Sequence, residues 1–112
     1  MSSISSIVLP IYQKYSSRIA KQGGLIDLSI KDPSLSVKNP KTTEKHLIDF
    51  ITYIQKNTLK PHLIISGTDK YLIVKEENTF LEPDYKGSLS NIEGVKVSSR
   101  IGFGTKIQFP LL

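Results

Sequence analysis

The apolar residues of this chain change twice from helical spacing to strand spacing, and few folds accept that order. From Ile11 to Ala20 they recur at helical spacing, and Gly23-Gly24 then predicts the end of a helix. A second helical stripe contains Leu47, Phe50, Ile51, Ile54 and Thr58, and Pro61 stops it. Each helix is followed by short strand-like runs. This order predicts an α+β two-layer sandwich, with a mixed, mostly antiparallel sheet and the helices on one face.

Short alternating or β-branched runs bounded by turn residues mark the predicted strands. These runs are residues 7–9, which we expect as an edge strand, and residues 25–30, 35–37, 62–66, 71–76, 95–99 and 105–109. Pro10 is expected in the first turn of the first helix, and Thr42 or Thr43 is expected to cap the second. Residues 78–94 are mostly polar and predict a loop.

Composition limits the classes of function. The 112 residues suit one domain, residues 1–112, and the absence of cysteine excludes disulfides, thiolate metal sites and cysteine nucleophiles. No apolar run approaches the roughly 20 residues of a membrane span. We therefore expect a cytoplasmic protein. The net charge of +5 permits an acidic partner, but the basic residues are scattered along the chain, which argues against nucleic acid.

Three stretches resemble the ATP-binding catalytic domain of sensor histidine kinases, in the GHKL or HATPase superfamily. They are KQGGLIDLSI, TTEKHLIDFITYIQKNTLKPHLIIS and the terminal SRIGFGTKIQFPLL. The second is similar to the helix that carries the family's N-box, Asn-Leu-Leu-x-Asn-Ala-x-Lys. By this resemblance Asn57 falls on the magnesium-binding asparagine, Lys60 on the basic position, and Tyr53 replaces the first asparagine.

Other family motifs are only partly matched. The adenine-binding motif, Asp-x-Gly-x-Gly, follows the strand that YLIVKE resembles, and here Glu77 or Asn78 would take the aspartate position without either glycine. The stretch KGSLSNI resembles the phosphate loop with Gly87 as its single glycine, and the helix that normally follows is expected to be truncated. Thr105 completes the terminal Gly-x-Gly-Thr. Glycine-rich loops before helix N-termini cradle phosphates, so these losses imply a weakened nucleotide site.

The resemblance with these departures favours a degenerate pseudo-ATPase that acts as a protein-interaction scaffold in two-component-type signalling, with no catalytic residue. Its expected partners are a response regulator or a kinase dimerisation domain. One alternative is a minimal ATP- and Mg²⁺-binding kinase domain, using Asn57, Lys60, Glu77, Asn78, Gly87 and Thr105, and only this alternative needs the cofactors. Another is a small basic nucleic-acid-binding protein. His46 lacks the sequence context of a phospho-accepting histidine.

Each candidate also has a purely structural interpretation. Asn57 and Lys60 can be polar residues at a helix end. Glu76 and Glu77 point to opposite faces of a strand, so they cannot share a proton and are expected to be solvated. Phe80, Leu81 and Phe103 either pack inward or form an exposed apolar patch for a partner. The edge strand expected at residues 7–9 would allow a homodimer.

Overall fold

The computed structural model describes residues 2–112, which form a five-stranded sheet and three helices. In chain order the elements are α1 (Ile4–Lys21), β1 (Leu25–Ile30), α2 (Pro40–Asn57), β2 (His62–Gly67), β3 (Tyr71–Glu76), α3 (Pro83–Ser90), β4 (Lys96–Arg100) and β5 (Gly104–Pro110). The strands lie in the order β1-β2-β3-β5-β4. The β1–β2 pair is parallel and the other pairs are antiparallel. The predicted mixed, mostly antiparallel sheet is confirmed.

One apolar core joins the helices to one face of the sheet. Alternate residues of the three central strands are buried, namely Leu63, Ile65, Leu72, Val74, Ile107 and Phe109. They pack with the predicted stripe of α2, of which Leu47, Phe50, Ile51 and Ile54 are fully buried. Thr58 does not continue that stripe, because it follows the last helical residue in an extended conformation. The alternate residues on the other face, such as Lys75, are left toward solvent.

The prediction of an edge strand at residues 7–9 is wrong, because these residues lie inside α1. Ser3 caps this helix by accepting a hydrogen bond from the backbone N–H of Ser6 (3.2 Å), and the buried stripe begins at Ile4. Pro10 therefore lies within the helix rather than in its first turn. It sits on the exposed side, where the carbonyl that loses its partner can be hydrated. The edge on which the homodimer prediction depended is thus helical.

Two further boundaries differ from the sequence prediction. Residues 35–37 form no strand, since Ser36 and Val37 make only isolated bridges to Ser3 and Leu111. The start of α2 lies at Pro40, in the first turn where its missing N–H costs nothing, so neither Thr42 nor Thr43 caps the helix.

The segment predicted as a loop at residues 78–94 contains α3. Pro83 begins this short helix, and Leu89 is its one buried residue. A helix with a single apolar anchor has no stripe that sequence periodicity could detect. The stretch interpreted as a phosphate loop is therefore mostly helical, and Gly87 lies within α3.

The predicted final hairpin is confirmed, and both of its glycines have left-handed backbone conformations. Gly102 has φ of 85° and Gly104 has φ of 81°. At Gly104 a Cβ atom would also lie 2.6 Å from the carbonyl carbon of Glu77. The Gly-x-Gly pattern is thus required by the turn and by its close packing on the end of β3. Within residues 2–112, no helix combines the length and apolar content needed to cross a membrane.

Candidate functional site

The candidate residues surround the place where α2, the end of β3, the loop at residues 77–82 and α3 meet. Asn57 is the last residue of α2, and its side-chain amide donates a hydrogen bond to the carbonyl of Tyr53 one turn earlier (2.7 Å). Lys60 is exposed just beyond the helix. Both positions match the structural interpretation of a polar helix end.

Tyr53 joins α2 to the loop and to α3. Its ring centroid lies 5.0 Å from that of Tyr85, with the planes tilted by 50°. Its hydroxyl donates to the carbonyl of Phe80 and accepts from the backbone N–H of Glu82, each at 3.3 Å. Burial raises the pKa of Tyr85 well above the usual value of a phenol, so the Tyr85 hydroxyl stays protonated and neutral. Tyr53 thereby holds the loop against the helix.

The carboxylate inside this region is Glu76, which is 0% exposed. It accepts hydrogen bonds from the backbone N–H groups of His62 and Asn78, both at 2.6 Å, and from the Thr79 hydroxyl at 3.1 Å. Glu77 is exposed on the opposite side. The prediction of opposite faces is confirmed, but the prediction of a solvated pair is wrong for Glu76. Its register with the buried residues of β3 was the signal that could have located it.

Buried hydroxyl groups extend this network to the last hairpin. The Thr105 hydroxyl donates to the carbonyl of Thr79 (2.6 Å) and lies 2.8 Å from the Ser99 hydroxyl. Ser99 in turn accepts from the backbone N–H of Leu81 (2.8 Å). The Thr58 hydroxyl also hydrogen-bonds that of Thr79. Thr105 is therefore a buried residue that fixes the loop, since burying polar groups is tolerated only when they are paired.

The remaining candidates lie on the surface. Asn78 is exposed, and its backbone N–H bonds Glu76. Gly87 is exposed within α3, and outside its own stretch of helix no atom lies within 4 Å of the place a Cβ would take. Neither a positive φ nor a close approach therefore requires glycine at this position.

The predicted apolar patch is wrong for Leu81, which is 0% exposed and belongs to the core. Phe80 is 37% exposed and Phe103 is 75% exposed. The guanidinium of Arg100 lies 4.8 Å from the centroid of the Phe103 ring. Phe103 thus stands at the tip of the β4–β5 hairpin with a cation against it.

The two histidines lie in different environments. His62 Nε2 lies 2.7 Å from an Asp27 carboxylate oxygen, and this hydrogen bond raises the pKa of His62. Burial lowers the pKa of His46. Within residues 2–112, no three His, Asp or Glu side chains are grouped as metal ligands would be.

Comparison with known proteins gives similarity in structure only. No family model and no curated protein matches the chain in sequence. The catalytic domain of histidine kinase ThkA superposes with a TM-score of 0.72 at 12% identity, covering 98% of this chain and 93% of that one. The histidine kinase domain of the E. coli osmosensor EnvZ gives 0.67 at 10% identity, covering 98% and 86%.

A third solved structure shows histidine kinase ThkA in complex with the response regulator protein TrrA. It gives a TM-score of 0.66 at 12% identity, covering 98% of this chain and 40% of that one. At such identities the comparison establishes the architecture rather than the chemistry. The chain has the fold of the histidine kinase catalytic domain.

Proposed function

We propose that this chain is a degenerate, non-catalytic member of the histidine kinase ATPase domains, a pseudo-ATPase that acts as a protein-interaction scaffold in two-component-type signalling. One observation carries the proposal. By the resemblance, a nucleotide would lie between α2 and the segment of residues 77–90, and Tyr53 closes that gap through Tyr85 and the loop backbone. A nucleotide would have to break these contacts before it could bind.

The residues present do not fit Mg²⁺ and ATP. Mg²⁺ requires near-octahedral oxygen ligands, of which nucleotide phosphates normally supply several. Asn57 is the only matched ligand, and its amide is engaged with its own helix. The loop at residues 77–82, which leads into α3, contains no glycine, so its backbone lacks the usual freedom to approach phosphates. Glu77 and Asn78, the two candidates for the aspartate that reads the adenine amine, are both exposed on the surface.

If no nucleotide can enter the site, the remaining function that we propose for this fold is the binding of a protein partner. The partner classes we propose are a response regulator or a kinase dimerisation domain, in the cytoplasm. Support for the first class comes from ThkA, which has been solved with a response regulator. Phe80, at the loop beside α2, is an exposed aromatic residue through which such a partner would make contact.

Isothermal titration with Mg²⁺-ATP and Mg²⁺-ADP tests the first half of the proposal. We expect no heat of binding up to millimolar nucleotide for the native protein or for Asn57→Ala. Micromolar binding that Asn57→Ala abolishes would overturn the proposal and favour the minimal kinase domain.

The second half is tested with purified response regulators and isolated kinase dimerisation domains, by titration against the immobilised domain. At least one should bind, and Phe80→Ala should weaken that binding while the unfolding temperature stays unchanged. Absence of binding across both classes would contradict the scaffold role.

A further inference from the structure

Four cations gather on the sheet face that the helices leave open. In the antiparallel register Lys75 of β3 lies directly opposite Lys106 of β5. On β4, Lys96 and Arg100 occupy the same face, because they pair with Gln108 and Gly104, each two residues from Lys106. The sequence prediction against nucleic acid rested on the scatter of basic residues along the chain. The register of the sheet brings four of these residues together on one face.

These charges are not neutralised by the protein itself. Like charges at directly opposed strand positions destabilise a sheet, so the Lys75–Lys106 pair lowers the stability of the fold and is not explained by folding. Within residues 2–112, no carboxylate lies within ion-pair distance of any of the four cations. One exposed carboxylate, Glu77, lines the same depression as Lys75, Lys106 and Arg100.

Aromatic rings flank the cations at both ends of this face. The Arg100 guanidinium stands 4.8 Å from the centroid of the Phe103 ring, and the Lys96 ammonium stands 5.2 Å from that of Tyr71. At the Phe103 end lies a depression of about 230 Å³, lined by Lys75, Glu77, Ser98, Arg100, Phe103 and Lys106 among others.

The geometry points to a binding surface for single-stranded nucleic acid on the open face of β3, β5 and β4. Cations on three successive strands would meet the phosphates of one strand running across the sheet, and Phe103 would stack a base. Proteins that bind single strands combine these two elements, a basic track and exposed aromatic rings. This role is additional to the scaffold function and does not depend on it.

The test is fluorescence anisotropy with labelled oligothymidylate of about twelve nucleotides, a length within the usual site sizes. With four phosphate contacts, the logarithm of affinity should fall against that of salt with a slope of about −3. The double variant Lys75→Ala/Lys106→Ala should bind more weakly and reduce that slope by about 1.4. The matched control, Lys41→Ala/Lys45→Ala on α2, removes the same charge from the opposite layer and should keep the slope.

The aromatic contact is tested separately. Phe103→Ala should weaken binding by about fivefold or more without changing the salt slope, as loss of one stacked base does. Leu59→Ala, which removes a side chain that is 91% exposed beyond the end of α2, is its control and should bind as the native protein does.

Three results would overturn the proposal. The first is no oligonucleotide binding at low salt. The second is equal losses in the two lysine double variants, which would mean attraction by net charge alone. The third is equal or tighter binding of a labelled oligoglutamate of the same charge without dependence on Phe103. That outcome would make the face a site for an acidic protein. None of these outcomes bears on whether Mg²⁺-ATP binds.

Discussion

Replacing Glu76 by glutamine should destabilise the domain strongly although it changes only one oxygen to an amide nitrogen. Both oxygens of the buried carboxylate accept hydrogen bonds, one from the backbone N–H of His62 and the other from Asn78 and Thr79. Glutamine has one acceptor oxygen, and its amide group is a donor. In the better orientation the oxygen keeps Asn78 and Thr79, and the amide then faces the N–H of His62.

The size of the effect follows from that mismatch. Losing a hydrogen bond to a charged group costs about 1.5–3 kcal/mol, and leaving a buried donor unpaired costs about 1–3 kcal/mol. The two terms describe overlapping losses, so we expect the free energy of unfolding to fall by about 3 kcal/mol. For a domain stabilised by about 5–15 kcal/mol in total, this is a large fraction.

Equilibrium urea unfolding, followed by circular dichroism, measures this change. With a typical slope of about 1–3 kcal/mol per molar urea, the midpoint should fall by about 1–3 M. Glu77→Gln is the matched control, since Glu77 is exposed, and should change stability by no more than about 0.5 kcal/mol. If the two variants unfold at the same urea concentration, Glu76 does not hold the loop in the way its contacts indicate.

The other predictions concern the hairpin, a histidine and the opposed lysines. Gly102→Ala should cost about 1–2 kcal/mol from its left-handed backbone alone, whereas Gly104→Ala should cost clearly more in thermal unfolding because its Cβ also meets backbone atoms. The hydrogen bond to Asp27 raises the pKa of His62 above 6.5, so its contribution to stability is full below pH 6.5 and is lost as the pH rises through the folded-state value. An NMR titration should show this raised pKa, and Asp27→Asn should lower it; no difference between the two proteins would refute the assignment. Lys106→Glu replaces a like-charge pair by an opposite one and should stabilise the fold by about 0.2–1 kcal/mol at low salt, whereas a loss of stability would show that the lysines do not repel.

Strong periodicity made the central elements predictable from sequence. The apolar stripe of α2 indicated a helix, and the alternation of buried and outward-facing positions in β3 indicated a strand. The bounds predicted for β3 are the observed ones. At residues 7–9 three adjacent apolar residues fit a strand or a buried helix turn equally well, and Pro10 then suggested too late a helix start. The polar composition of α3 gave no periodic signal, because Leu89 is its one buried residue and Tyr85 is only partly buried.

The site was harder to predict because its contacts join distant parts of the chain. No local pattern links Tyr53 to Tyr85, or Thr105 to Thr79. Likewise, the cations of the open face come from three strands and become neighbours only through the register of the sheet. Sequence reasoning can assign a residue to a face, but it cannot pair faces without the strand order.

Residues that match the kinase motifs have contacts inside this domain that account for them without a nucleotide. Gly104 is needed by a left-handed turn packed on the end of β3. Thr105 pairs a buried carbonyl, and Asn57 bonds its own helix. The adenine-motif glycines, which the resemblance assigns to close approach of the base, are replaced by Thr79 and Leu81. The positions that support the fold are thus kept, whereas the positions that would approach a ligand carry side chains. The pseudo-ATPase that we propose requires this combination, because the sandwich must still close while no nucleotide has to enter.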